Sequence, residues 1–230
     1  MTETSSGIDW HRQIDGYCER LEPGLWAEPV NLVTNALFVL VGVIAWQRSA
    51  PLAARGLYSG QVLAVILCII GIGSALFHSF ATRWASAADV LPIGIFVLSY
   101  IYVSNRDFAG LGKYWAIPAT LIGFALLWPL ASGIRMIWPQ AGGNALYGAV
   151  CLLIFLYAVA LIPVLPRTGG RLLAGALILA LSITARALDL PLCEDWPLGT
   201  HFLWHVLNAV MLGWMIETWR RNRLETLCAA

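Results

Sequence analysis

Seven long apolar segments dominate this chain of 230 residues. A helix needs about 20 mostly apolar residues to cross the roughly 30 Å hydrocarbon core of a membrane, and each segment comes close to that length. The segments cover residues 29–47, 57–77, 88–104, 114–130, 144–165, 172–188 and 200–219. We therefore expect an all-α membrane protein that forms a seven-transmembrane helix bundle. Pro118 and Pro129 interrupt the fourth segment and make it the weakest.

The composition excludes several other classes of protein. Hydrophobic residues make up 59% of the chain and charged residues only 12%, whereas soluble domains carry about 25% charged residues. The 11 tryptophans also fit a membrane protein, because this side chain favours the membrane interface. With a net charge of +1 the chain has no field that would attract a polyanion. A soluble enzyme, a disordered chain and a nucleic-acid binder are therefore disfavoured.

Charge asymmetry predicts how the chain is arranged across the membrane. Nine of the 14 lysines and arginines fall on the side of the C-terminus, and basic residues favour the cytoplasmic side. We expect a polar extracytoplasmic leader over residues 1–28, a transmembrane domain over 29–220 and a short cytoplasmic tail over 221–230. The leader is too polar for a cleavable signal peptide. The short loops suggest a bacterial inner membrane.

Histidines gather at one end of the predicted bundle. His78 ends the second span, while His201 and His205 begin the seventh. These spans run in opposite directions, so all three histidines meet at the predicted outer end, where Asp89 begins the third span. Ionisable groups in a membrane are costly and are functional candidates by default. His11, the fourth histidine, lies in the polar leader and is expected to be solvated.

The spacing of these residues favours a catalytic metal site. His201 and His205 are four residues apart and share one helix face, as do Ser74 and His78. Three neutral imidazoles with an open fourth position are typical of catalytic zinc, which makes hydroxide available near neutral pH. Asp89 would then accept a proton, and Ser74 would stabilise a developing oxyanion. The alternatives are that Ser74 only packs between helices and that Asp89 only caps its helix.

Several motifs together resemble the alkaline ceramidases, within the CREST group of seven-span membrane hydrolases. The matching strings are GSALFH at 73–78, Asp89 followed by Leu91-Pro92, HFLWH at 201–205, YCE at 17–19 and WAEPVN at 26–31. The resemblance extends over residues 15–208. It implies zinc bound by His78, His201 and His205, with Ser74 and Asp89 beside the reacting water. It also implies hydrolysis of ceramide to a sphingoid base and a fatty acid, with a membrane lipid as partner and no required protein partner.

The resemblance has two further implications for the leader. The family binds calcium near the N-terminus through acids and backbone carbonyls, which are ligands that suit this ion. The corresponding residues here are Asp15, Tyr17, Glu19, Leu21 and Glu28. The family has Asp and Asn where this chain has Gly16 and Leu21, so an acidic, solvated leader without calcium is the alternative. The family also has a disulfide here, which implies a Cys18–Cys193 bridge on the oxidising side of the membrane.

Other functions remain open at this stage. The same architecture would serve a zinc hydrolase for another lipid, such as an N-acyl amino-acid lipid or a phospholipid. A non-catalytic, metal-stabilised receptor would need the histidines alone. A retinal protein is excluded because Lys113, the only lysine, is not in the seventh span. A transporter is disfavoured because no paired halves are visible. Arg186 and Asp189, near the end of the sixth span, are expected to pair with each other.

Overall fold

A computed structural model describes residues 8–229, and this part of the chain is helical, with no strand. Short 3₁₀ turns at Pro139–Ala141 and Leu190–Leu192 and a π-helical turn at Ser104–Phe108 accompany the α-helices. The α-helices are α1 (Pro29–Thr34), α2 (Ala36–Ala53), α3 (Ser59–Phe80), α4 (Arg83–Val103), α5 (Lys113–Ala125), α6 (Leu127–Ile137), α7 (Asn144–Leu161), α8 (Pro166–Ala187) and α9 (His201–Ala229).

Six helical segments are long and apolar enough to cross a membrane, which confirms a helical membrane bundle. These segments are Pro29–Ala53, Ser59–Phe80, Arg83–Phe108, Lys113–Ile137, Asn144–Leu161 and Pro166–Ala187. Helix α9 is the longest, with 29 residues, but is less apolar because it carries His201, His205, Asn208 and Glu217. It continues to Ala229, so the residues predicted as a short tail after residue 220 are helical up to that point.

The helices form a closed ring in which neighbours in sequence are mostly neighbours in space. Helices α2, α3, α4, α5, α6, α7, α8 and α9 follow one another around the bundle, and α9 closes the ring against α2. Helix α3 also contacts α1 and α9 and is the most buried of the six apolar segments. We call the end where α3 finishes and α9 begins the histidine end.

A close contact between α3 and α4 sets the position of two candidate catalytic residues. A Cβ atom added to Gly73 would lie only 2.1 Å from the carbonyl oxygen of Ala88. That carbonyl lacks its usual helical donor because Pro92, four residues later, has no N–H. Glycine therefore lets the two backbones meet at this point. The contact brings together the next residue of each helix, Ser74 and Asp89.

The leader crosses the histidine end. The backbone N–H of Ile14 donates to the carbonyl of Ala81, and the N–H of Arg83 donates to the carbonyl of Arg12. Further along, Cys18 forms a disulfide with Cys193, so the predicted bridge is confirmed. Cys68, Cys151 and Cys228 are free. The leader is thus fixed both to the turn between α3 and α4 and to the loop that precedes α9.

We expect Gly73→Ala to destabilise the bundle, because its new methyl group meets a backbone atom that cannot move without its helix. Overpacking of this kind costs about 1–3 kcal/mol, and each kcal/mol lowers the melting temperature by about 2–4 °C in a chain of this size. Thermal unfolding in detergent, followed by tryptophan fluorescence, measures the change. Gly170→Ala in α8 is the matched control, since nothing lies within 4 Å of its added Cβ. Equal melting temperatures for the two variants would contradict the prediction.

Candidate metal centre

Three buried histidines converge where α3 ends and α9 begins. His78, His201 and His205 each offer one ring nitrogen, and these atoms lie within 4.8 Å of one another. Each of these imidazoles also has a buried ring nitrogen without a hydrogen-bond partner: Nε2 of His78, Nδ1 of His201 and Nε2 of His205. Buried polar atoms are rarely left unpaired. The arrangement therefore fits a divalent metal ion as the missing partner.

Hydrogen bonds fix the protonation of two of these rings. Nδ1 of His78 lies 2.6 Å from Oε2 of Glu28 and donates to this carboxylate. Nδ1 of His205 lies 2.9 Å from the hydroxyl of Thr34, which in turn donates to the carbonyl of Val30. With the proton of each ring held on Nδ1, the lone pair is on Nε2. Such outer partners orient metal-binding imidazoles and raise their basicity.

Glu28 therefore supports His78, and its role as a calcium ligand stays a prediction. Its other oxygen, Oε1, accepts from Nε of Arg20 at 2.6 Å, and the side chains of Arg20 and Glu28 are only 5% and 2% exposed. Burial acts to raise the pKa of the Glu28 carboxyl, but the hydrogen bonds and charges of His78 and Arg20 outweigh it and lower the pKa. Arg20 also donates to the backbone carbonyl of His78, at 3.0 Å. The guanidinium group of Arg20 thus supplies the positive charge that balances the Glu28 carboxylate.

The other predicted calcium ligands lie in the leader, and calcium binding there stays a prediction. Both oxygens of Glu19 accept backbone N–H groups at the start of α1, from Val30 at 2.7 Å and Asn31 at 2.9 Å. Asp15 and Leu21 are exposed. Within residues 8–229, the three histidines are the only group of three or more His, Cys, Asp or Glu side chains with the spacing of a metal site. Glu19 is a helix cap, which satisfies N–H groups that a helix start leaves unpaired.

Asp189 sets the start of α9. Its Oδ1 accepts the N–H groups of Thr200 and His201 at 2.7 and 2.8 Å, and its Oδ2 accepts the N–H of Cys18 at 3.0 Å. The carboxylate is buried at 2% exposure. Gly199 is in the left-handed region, with φ of +68°, and a Cβ there would collide with Oδ1 of Asp189. Asp189 thus holds the first zinc-ligand candidate of α9 in place and joins it to the leader.

The predicted pairing of Arg186 with Asp189 is wrong. Arg186 instead donates to the side-chain carbonyl of Asn144 and lies over the rings of Tyr147 and Trp204, at 5.4 and 5.5 Å from their centroids. The oxygens of Asp189 instead accept three backbone N–H groups. The two charged residues are close in sequence, but each binds a different part of the chain.

Two of the three histidines, His201 and His205, line a polar cavity that also contains the predicted catalytic residues. The cavity measures about 220 Å³ and is lined by Ser74, Asp89, His201, His205, Tyr17 and Arg186, among others. Ser74 is buried and contacts Asp89, which is half-buried. Tyr17 stacks on His201 with ring centroids 3.7 Å apart. Burial raises the pKa of the Tyr17 hydroxyl, so this group stays protonated and is a hydrogen-bond donor. His11 is exposed and lies outside the site, as predicted.

An apolar chamber continues from the polar cavity into the bundle. It measures about 280 Å³, and its lining shares Ser74, Asp89, Tyr147 and Trp204 with the polar cavity. Along α4 the lining runs from Asp89 to Ser104 just beyond the helix, a length of about 22 Å at 1.5 Å per residue. The remaining walls are mostly aliphatic and aromatic. The site therefore combines a polar head region with a long apolar tail region.

The sequence interpretation missed the role of several residues that support the site. Thr34 and Asp189 act through hydrogen bonds that join distant parts of the chain, and no local pattern indicates them. Glu28 carried a detectable signal, since a carboxylate directly before a membrane span needs a partner. Comparisons with protein-family models and with curated proteins find no match for this chain. The assignment of the site therefore depends on its own geometry and on the chemistry of its donor atoms.

We expect the purified protein to contain about one divalent metal ion and His205→Ala to lose it, because two imidazoles bind far more weakly than three. Glu28→Gln keeps the shape of the side chain but removes the charge opposite His78. Loss of such an outer partner weakens metal affinity by about 10–100-fold. Elemental analysis after titration with a chelator measures both effects. His11→Ala is the control and should bind like the wild type; equal affinity in all four proteins would refute the site.

Proposed function

We propose that this protein is a zinc-dependent membrane amidase that hydrolyses a long-chain lipid amide of the ceramide type to a free fatty acid and an amine, in ceramide the sphingoid base. The observation that carries the proposal is the connection between the polar cavity and the apolar chamber. Two of the three histidines with unpaired nitrogens, His201 and His205, line a polar cavity, and that cavity continues into an apolar chamber through Ser74 and Asp89. A lipid with a hydrolysable bond between head and tail would occupy both.

The proposal includes α9 as a seventh membrane span. Helix α9 packs against α2, α3 and α8. Its polar residues His201, His205 and Asn208 are buried, so they face the bundle and not lipid. Membrane helices tolerate polar groups in that position. With seven spans, the excess of basic residues near the C-terminus supports an extracytoplasmic histidine end.

The residues of the chain supply the rest of the chemistry. Zinc bound by the three histidines would polarise the amide carbonyl and activate water, with its fourth position open. Asp89 lies in the same cavity and would take a proton from the attacking water and pass it to the leaving nitrogen. The hydroxyl of Ser74 would donate to the oxygen of the carbonyl as negative charge develops there. His78, held by Glu28, keeps the site in one geometry.

The apolar chamber supports the choice of a lipid substrate. An acyl chain placed along α4 would leave water and contact the aliphatic and aromatic walls, gaining about 0.8 kcal/mol for each buried CH₂ group. Its amide would then lie at the junction beside Asp89. The resemblance to alkaline ceramidases agrees with an amide as the bond that is broken.

We expect the purified protein to release fatty acid from ceramide or another lipid amide, and a zinc-selective chelator to abolish the release. Fatty acid is measured by mass spectrometry from a panel of ceramides, N-acyl amino-acid lipids and phospholipids. Zinc added back after chelation should restore activity. Release from phospholipids alone would replace the amidase by an esterase. Metal-loaded protein that releases nothing from any lipid would favour the non-catalytic receptor.

We expect Asp89→Asn to lower kcat by about 100-fold or more, because general acid–base catalysis contributes about 10²–10⁴-fold. Ser74→Ala removes one donor to the oxyanion and should also lower kcat, by about 10²-fold if the donor is aligned. Asp195→Asn and Ser132→Ala are the matched controls, since both residues are exposed and lie outside the cavity. Wild-type kcat in Asp89→Asn with zinc bound would show that Asp89 is not the base.

A further inference from the structure

Arg186 carries a positive charge into the polar cavity without an acidic partner. Its guanidinium group lines the cavity together with Asp89, Tyr17 and Trp204. Within residues 8–229 no carboxylate forms an ion pair with it, whereas Arg20 and Arg106 have close acidic partners. A charge that is largely removed from water needs compensation. The neutral side chain of Asn144 supplies only part of it.

Aromatic rings hold this guanidinium group in one place. Tyr147 and Trp204 lie together on one side of it, at 5.4 and 5.5 Å, a distance that gives a favourable cation–π interaction. The hydroxyl of Tyr17 lies 3.5 Å from one terminal nitrogen. A guanidinium group has five N–H donors, so the contacts with Asn144 and Tyr17 leave donors for a ligand. The two rings, Asn144 and Tyr17 thus hold the guanidinium group, while some of its N–H donors remain available.

The charge of the whole cavity favours an anion. Asp89 is the only acid and Arg186 the only arginine in its lining, so their charges cancel, and the divalent ion that the histidines fit adds two positive charges. Arginine binds carboxylates through two parallel hydrogen bonds, which gives orientation as well as affinity. A neutral head group would leave Arg186 without such a partner.

We propose that Arg186 binds the anionic head group of the substrate and that the substrate is a lipid amide with a carboxylate close to the scissile bond, an N-acyl amino acid. This inference rests on the proposed function. In such a lipid the carboxylate is attached to the carbon next to the amide nitrogen. The amide at Asp89 and the carboxylate at Arg186 therefore both fit a cavity of about 220 Å³.

The experiment compares three lipids with the same acyl chain: an N-acyl amino acid, ceramide 1-phosphate and neutral ceramide. We expect wild-type kcat/KM to be at least about tenfold higher for the N-acyl amino acid than for ceramide. Arg186→Gln should lose about 100-fold on the N-acyl amino acid, because a charge-assisted pair is removed, and change less than about threefold on ceramide. Arg186→Lys keeps the positive charge but lacks the planar guanidinium group that forms two parallel hydrogen bonds. Its kcat/KM on the N-acyl amino acid should therefore lie between those of the wild type and Arg186→Gln.

Control variants and outcomes separate this inference from a structural role. Arg83→Gln removes the same charge from the same end of the bundle, outside the cavity, and should leave the ratio of the two substrates unchanged. Equal losses of Arg186→Gln on charged and neutral lipids would overturn the proposal and indicate packing or product binding. A preference for ceramide 1-phosphate would contradict the claim that Arg186 binds a carboxylate. A preference for neutral ceramide would contradict the claim that the head group is anionic. Neither result would contradict the proposed amidase activity.

A binding measurement keeps the test independent of turnover. Calorimetric titration of the N-acyl amino acid into zinc-loaded Asp89→Asn protein in detergent should show about 100-fold tighter binding than titration into Asp89→Asn/Arg186→Gln. If no lipid is hydrolysed but this difference is present, the amidase fails and the anion site stands. If lipids are hydrolysed and the difference is absent, the amidase stands and the role of Arg186 is refuted.

Discussion

The hydrogen bond between Glu28 and His78 is the interaction on which the histidine end depends. It places a carboxylate that is 2% exposed against an equally buried imidazole, at 2.6 Å. The carboxylate is stable there only because Arg20 balances its charge from the other side, and Arg20 in turn holds the end of α3 through the carbonyl of His78. Removing one member of a buried charged group leaves the others uncompensated and is strongly destabilising. Leader, α1 and α3 therefore form one unit around this carboxylate.

A second carboxylate does the same for α9. Asp189 joins the leader to the first turn of that helix through backbone N–H groups alone. Each of these two acids accepts hydrogen bonds from donors in different parts of the chain. Each therefore fixes those parts relative to one another. The positions of His78 and His201 follow from these two anchors, and the third ligand follows from helix geometry, because His205 is one turn beyond His201. The leader is thus part of the site and not a solvated appendage.

Much of this arrangement could be predicted from the sequence, for reasons that differ between its parts. Hydropathy indicated the membrane helices because lipid forces backbone groups to pair within each helix. Helix α9 was predicted as the seventh apolar segment, over residues 200–219, although its polar residues lower its hydropathy. The grouping of His78 with His201 and His205 followed from the alternating direction of the spans.

Pairings between distant residues could not be predicted in the same way. Glu28 and Glu19 both looked like metal ligands, and only the fold shows that one supports a histidine while the other caps a helix. Arg186 and Asp189 were predicted to pair because they are close in sequence. In the structure Arg186 donates to Asn144, while Asp189 accepts the N–H of His201. The residue types were informative about chemistry, while the choice of partner was decided by contacts far apart in the sequence.

The disulfide has a consequence for how the protein is made. Cys18 leaves the ribosome long before its partner Cys193 and the candidate ligands His201 and His205. The leader must therefore wait, unattached to its final neighbour, while six membrane helices are inserted. Neither the group of three histidines nor the leader that crosses it can reach its final position on a partial chain. The histidine end therefore assembles only after α9 has been made and the bridge has closed.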